Sequence, residues 1–246
     1  MQATYVRNKL HLYWPKVIAL VAAVLFLSIS AGAQKLKYAQ KNNPNYDNKK
    51  ITYGFLIGLH TTAYQINYAD RFVTQDFDTV HSIIPAWTPG FSLGFIVNYR
   101  VTEFLDLRIT PKVAFYEHSL TYRYTDETEN EQRVETTMVE FPILLKYKSV
   151  RRGNIRMYMV GGFKPGIEAS GKKQIENTTS TLEVNQFNVN LEAGFGFDLY
   201  YPLFKFSPEL RFSRGLLDVL ENKSNIYGQP LQRINTNTIT LYLLFQ

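Results

Sequence analysis

Apolar and polar residues alternate along much of the chain. Phe91, Leu93, Phe95, Val97 and Tyr99 interleave with Ser92, Gly94, Ile96, Asn98 and Arg100. Successive side chains of a β-strand point to opposite faces, so the pattern predicts a strand with one apolar and one mostly polar face. The same alternation sets Leu105, Leu107, Ile109, Val113 and Phe115 against Asp106, Arg108, Thr110, Lys112 and Ala114. It recurs where Val139, Phe141, Ile143, Leu145 and Tyr147 interleave with Met138, Glu140, Leu144, Lys146 and Lys148. Further strands are predicted over residues 51–68, 155–167, 187–199, 204–216 and 238–245, which makes eight. No helical period of useful length appears beside them, although residues 216–220 have the composition for one turn of helix inside a loop. The predicted fold class is all-β.

Connection lengths decide the architecture. Residues 101–104, 151–154 and 201–203 are tight turns, whereas residues 70–89, 126–133, 169–186 and 218–236 are longer and polar. Short and long connections in alternation predict an eight-stranded, antiparallel, up-and-down transmembrane β-barrel, with short turns on the periplasmic side and long loops outside. An even strand count leaves both termini in the periplasm.

One phase of the strands collects Phe55, Leu59, Leu93, Phe95, Leu107, Ile109, Val113, Phe141, Ile143, Leu145, Met157, Met159, Phe163, Leu191, Phe195, Phe197, Phe206, Leu210, Phe212, Leu241, Leu243 and Phe245, without a charge. A lipid-facing Arg or Lys at the bilayer midplane costs about 2–4 kcal/mol, so a charge-free face suits a membrane. Tyr53, Tyr99 and Tyr147 share this phase near the short turns, where an interfacial aromatic girdle belongs. The opposite phase holds Arg108, Lys112, Glu140, Lys146, Lys164, Glu192, Glu209 and Arg211 among glycines. An eight-stranded barrel has an interior just wide enough for side chains to fill, so these eight are expected to form a structural lumen network and leave no channel. The alternative, a soluble sandwich, would set the same charges in water.

Two features complicate the barrel. Pro111, Pro142, Pro165 and Pro208 fall inside strands of a sheet with no edge, and bulges are expected near some of them. Beyond Tyr116 the apolar residues move to even positions (Leu120, Tyr122, Tyr124), as a bulge or an upper strand leaving the membrane would produce.

The N-terminus reads differently. Arg7, Lys9 and Lys16 precede an apolar run over residues 17–27, followed by small residues up to Ala31, Gly32 and Ala33. The run is shorter than the roughly 20 residues that span a bilayer. Residues 1–33 are therefore expected to be a secretory signal peptide cut between Ala33 and Gln34. Residues 34–50 are polar without apolar periodicity and read as a periplasmic tail, leaving 51–246 for the barrel.

Composition narrows the function. The absence of cysteine among 246 residues closes disulfide frameworks, thiolate metal sites, a Cys nucleophile and an N-terminal lipid anchor on Cys. Signal removal takes away three cations and no anion, so the formal charge falls from +6 to +3, too little to suggest nucleic acid. His60 and His118 lie toward the long-loop end in the inward phase, with Glu117, Ser119, His81, Asp76 and Asp78 as conceivable partners for rim chemistry. Neither a G-x-S-x-G nor an H-E-x-x-H spacing is present, and rim histidines are ordinarily polar fillers. The expectation is no enzyme, no metal and no cofactor.

The run Glu140, Phe141, Pro142, Ile143, Leu144, Leu145, Lys146, Tyr147 resembles a strand common in small outer-membrane barrels of Bacteroidetes. Together with residues 158–162, 208–216 and the terminal 241–246, it resembles the PorT-like barrel family of the type IX secretion system, over residues 51–246. The resemblance implies an accessory component needed for export of cargo with a C-terminal signal, with outer-membrane lipid and membrane or periplasmic secretion components as partners. It carries over no functional residue. Two other readings stand beside it: a surface-binding barrel using Phe72, Phe77, Trp87 and Tyr227 in its loops, and a rim enzyme acting on lipid or peptide.

Overall fold

The structure, a computed structural model, describes residues 42–69, 80–126, 128–169, 185–220 and 230–246. The residues of the expected signal peptide and its cleavage site, including Ala31, Ala33 and Gln34, lie outside the described residues, as do Phe72, Asp76, Phe77, Asp78 and Tyr227.

Period-two alternation becomes eleven strands among the described residues: β1 (Ile51–Tyr68), β2 (Val80–Ala86), β3 (Thr88–Arg100), β4 (Leu105–Ile109), β5 (Lys112–Tyr124), β6 (Glu129–Glu140), β7 (Ile143–Lys148), β8 (Ile155–Glu168), β9 (Phe187–Tyr200), β10 (Lys205–Gly215) and β11 (Leu231–Phe245). Eleven replace the expected eight because three staves are interrupted. Strands β2 and β3 break at Trp87, β4 and β5 at Thr110 and Pro111, β6 and β7 at Phe141 and Pro142. All pairings are antiparallel between sequential staves, and β11 pairs β1 from Phe55↔Phe245 upward, so the ring of staves closes.

The prolines interrupt the ladder without shifting it. Val97↔Ile109 and Phe91↔Phe115 share one register across Pro111, and Ile143↔Phe163 and Met138↔Glu168 share one across Pro142. The register irregularities are at Asn67/Tyr68, at Val80/Ser82 and across Trp87, where the pairing slips by one residue between Ala86↔Ser119 and Phe91↔Phe115; none lies at Pro111, Pro142, Pro165 or Pro208, which corrects the expectation of bulges near some of those four. Proline lacks only the donor, and its carbonyl still accepts. Phe95 N–H donates to the Pro111 carbonyl at 2.9 Å, Thr110 N–H to Pro142 at 3.1 Å, and Phe141 N–H to Pro165 at 2.9 Å. Each proline thus keeps one bond of a reciprocal pair, enough to hold register. Beside Pro208 the β9–β10 ladder skips Ser207 and Pro208 and resumes in phase.

None of the residues in the apolar phase is buried, and Phe95, Met159 and Phe163 are 69, 65 and 56% exposed. Exposed large hydrophobics in a continuous belt, with the charged phase inside, are the reverse of a soluble sandwich and fit a wall facing lipid. Tyr53, Tyr99 and Tyr147 are exposed at the short-turn edge of the belt.

Beyond Tyr116 there is no bulge. Strand β5 pairs β6 in one register from Lys112↔Glu140 to Arg123↔Glu129, so even positions point inward throughout. What changes is their chemistry. Leu120 and Tyr122 join Tyr64, Ile83, Val134, Val219, Leu220, Leu231 and Ile234 in a buried cluster, while Arg123 and Glu129 face outward. Residues 216–220 are not helical; an irregular segment brings Val219 and Leu220 into this cluster, with Val219 N–H donating to the Ile234 carbonyl at 3.0 Å.

At the other end, residues 42–50 fold against the barrel mouth instead of trailing as a tail. Tyr46–Asn48 form a 3₁₀ turn with Tyr46 buried against Tyr200, ring centroids 5.8 Å apart. Gly196 gives the interior part of its room, since a Cβ there would stand 2.6 Å from the Tyr158 hydroxyl.

Candidate functional site

The lumen is the candidate site, and it is layered. Each inward side chain is set by strand parity: Arg108 on β4, Lys112 on β5, Glu140 on β6, Lys164 on β8, Glu192 on β9, and Glu209 and Arg211 on β10. All are buried. They form one line of alternating charge across the barrel. Arg108 pairs with Glu209 at 2.6 Å, Glu209 also with Arg211, and Arg211 with Glu192 at 2.8 Å. Glu192 then meets Lys164 at 3.6 Å, Lys164 meets Glu140 at 3.1 Å, and Glu140 meets Lys112 at 3.0 Å. Alternation offsets the desolvation of each charge with at least one opposite neighbour, which a buried ion needs in order to stay charged.

Two tyrosine rings sit among the cations. Arg211 and Lys112 lie over Tyr242, 4.3 and 4.7 Å from its centroid, and Lys146 and Arg108 lie over Tyr158, at 3.7 and 5.3 Å. Both rings are nearly inaccessible, so these contacts are desolvated and correspondingly stronger than on a surface.

Lys146, the eighth predicted lumen residue, belongs to a different cluster nearer the short turns. It pairs with Asp198 at 2.7 Å, which Ser207 also bonds at 2.7 Å and Lys205 approaches at 3.8 Å. Lys148 pairs with Asp106 at 2.6 Å. Below them Asp47, from the folded-back segment, accepts from Arg156 at 3.1 Å, Arg151 at 3.4 Å and the Tyr200 hydroxyl at 2.9 Å. Asp198, Lys205, Tyr158, Tyr242 and Asp47 are among the members that sequence reading missed. Asp198 had a signal, since it follows Gly194 and Gly196 in the inward phase.

Above the charged line, a cavity of about 50 Å³ is bounded by Thr62, Tyr116, His118, Asn188, Asn190 and Thr236. That is room for a few waters and not for a polypeptide. The apolar cluster closes over it. With Arg108, Arg211, Lys146, Leu56, Ile96, Leu144, Tyr242 and Leu244 also fully buried, the barrel cross-section is filled with side chains.

Among the described residues, His60, His118, Ser119 and Glu117 take separate partners. His118 stacks on Tyr64 with centroids 4.1 Å apart, and His60 lies against Tyr116 at 4.5 Å. Buried His60 Nε2 and His118 Nδ1 have no hydrogen-bond partner among the described residues. Ser119 donates to Glu131 at 2.8 Å, Glu117 pairs with Arg133 at 3.7 Å, and His81 is exposed on β2. No group of three or more metal-binding side chains occurs among the described residues.

The family model for "Outer membrane protein beta-barrel domain" matches residues 38–221, more than half of the chain. The chain belongs to this outer-membrane β-barrel family. That places it in the bacterial outer membrane, in keeping with the exposed apolar belt and the filled polar lumen. Among solved structures, the barrel is similar to Neisserial surface protein A, with 10% identity, TM-score 0.40, and 80% of this chain and 98% of that chain covered. It is similar to OprG from Pseudomonas aeruginosa at 12% identity and TM-score 0.42, covering 78% of this chain and 92% of that one. Ail, the attachment invasion locus protein of Yersinia pestis, solved in complex with the heparin analogue sucrose octasulfate, matches at 11% identity and TM-score 0.33, over 80% and 99%. No curated protein matches this outer-membrane barrel by sequence.

Proposed function

We propose that this barrel is a non-enzymatic accessory component of type IX protein secretion, which works by docking partners and is not itself the conduit. The observation that carries the non-conduit part is the filled lumen: seven paired charges, two tyrosine rings and an apolar closure occupy the space a cargo chain would need. The type IX assignment is supported by the resemblance of residues 140–147 to the PorT-like strand, which here spans the proline interruption between β6 and β7. In this reading the termini and short turns face the periplasm, and no cofactor takes part.

The test is affinity purification of the tagged protein from gently solubilised outer membranes, with mass spectrometry of what accompanies it and assay of cargo export on depletion. Recovery of large secretion components together with export loss is the expected result. Recovery of the barrel alone, with export intact, overturns it. That second outcome would favour a surface-binding barrel, the reading supported by Trp87, which is 53% exposed at the break between β2 and β3.

A further inference from the structure

A second cavity, of about 220 Å³, lies at the short-turn end. Four cations line it: Arg100 at the end of β3, Lys148 at the end of β7, Arg151 in the following turn and Arg156 on β8. Two carboxylates, Asp47 and Glu103, complete its charged lining. Lys148 is held by Asp106, while Arg151 and Arg156 share Asp47. Arg100 forms no ion pair among the described residues; its guanidinium donates to the Asp47 main-chain carbonyl. Arg156, whose side chain is 9% exposed, has an Nε with no hydrogen-bond partner among the described residues.

These four cations face three carboxylates, Asp47, Glu103 and Asp106, which leaves one positive charge in excess. A partly dehydrated cavity with one surplus cation and free guanidinium donors is complementary to a monoanion with several acceptor oxygens. Arginine forks match phosphate oxygens in particular. The same lining contains Phe104 and Val150, 40 and 65% exposed, beside the outward tyrosines Tyr99 and Tyr147. An anion site bordered by apolar turn tips at the edge of the lipid-facing belt suits an amphiphile.

We propose that this cavity binds a phosphodiester monoanion, presented by the headgroup of a glycerophospholipid in the leaflet at the short-turn end. Neither the secretion role nor the identity of any protein partner bears on it.

The experiment is native mass spectrometry of the full chain in detergent, stripped of lipid and offered three probes: dioleoylphosphatidylglycerol, dioleoylglycerol, and sn-glycerol 3-phosphate. Expected are one bound phosphatidylglycerol per barrel and no retention of dioleoylglycerol. Arg100→Gln should weaken binding roughly tenfold, the scale of one hydrogen bond to a charged group. Glu103→Gln, which adds to the positive excess, should tighten it. Equal retention of dioleoylglycerol, or phosphatidylglycerol binding indifferent to both substitutions, overturns the proposal. Binding of glycerol 3-phosphate as tight as that of the lipid overturns the lipid source and assigns the site to a free phosphate. Should Arg100→Gln fail to fold, Glu103→Gln decides alone: tighter binding supports the site, and unchanged or weaker binding overturns it.

Discussion

The lower and upper halves of β5 obey the same parity with opposite chemistry. In the lower half Val113 and Phe115 point outward and are exposed, while Lys112 and Ala114 are buried inside. In the upper half Arg123 points outward, while Leu120 and Tyr122 are buried inside. The backbone and the β6 register do not change between them; the solvent does. Where lipid lies outside, an apolar side chain gains little by turning inward, and the interior is specified by paired charges. Where water lies outside, burial of apolar area stabilises at about 25 cal/mol per Å², and an ordinary hydrophobic core forms. The inversion near Tyr116 therefore marks where the strand leaves the bilayer.

The two regions should respond differently to substitution. The largest effect is expected at Glu209, among the described residues the one carboxylate paired with Arg108, and a partner of Arg211 as well. Glu209→Leu strands a buried guanidinium and should cost about 3–5 kcal/mol. Urea unfolding in lipid vesicles, followed by Trp87 fluorescence, measures it. Adding Arg108→Met should recover part of the loss, because an apolar pair does not leave a charge uncompensated. A double variant as unstable as the single one would mean that the cost is not electrostatic. Next comes Phe95→Arg on the lipid face, expected to cost about 2–4 kcal/mol near the midplane. Thr121→Arg, half-buried on the outward parity of the upper half, should stay within about 0.5 kcal/mol, as surface changes do. Similar losses at both positions would refute a bilayer boundary between them.

Reading the chain for parity alone exposes the wall and most of the charged line, because each strand carries its own alternation and the lipid tolerates no charge outside. Asp198 carries the same parity signal. The apolar closure was not legible in the same way. Val219 and Leu220 look like a turn of helix locally, and become core only by meeting Tyr64, Ile83 and Leu120 from distant strands. Residues 42–50 carry no apolar period, so nothing local distinguishes them from a tail. Their placement depends on Asp47 meeting Arg156 and Tyr200, 109 and 153 residues away. The three broken staves were foreshadowed only by their prolines: Pro111, Pro142, and Pro85 and Pro89 on either side of Trp87.

Ile234 is fully buried in the upper cluster. Ile234→Val should cost about 1 kcal/mol, the usual loss for one buried methylene. The expected readout is faster proteolysis of the long-loop end, with unchanged resistance of the belt. Loss of protection in the belt as well would show that the halves unfold as one unit.

The smallest effect is expected outside the upper half. Glu131 accepts from Arg133 at 3.0 Å and from Ser119 at 2.8 Å, and these hydrogen bonds, with the arginine's the larger, hold its carboxyl below the usual range. A carboxyl depressed in the folded state contributes its stability above the unfolded-state pKa and loses it as pH falls through the folded-state value. Stability at neutral pH should therefore contain this contribution in full, and acidification should remove it. Because Arg133 and Glu131 are 62 and 44% exposed, water screens the pair. Carbon-detected NMR titration of Glu131 should show a midpoint below that of a free glutamate, rising more on Arg133→Gln than on Ser119→Ala. Glu131→Gln should leave the unfolding midpoint nearly where it was. A loss approaching that of Glu209→Leu would mean that the outer surface of the upper half is not in water, and the polarity inversion would need another cause.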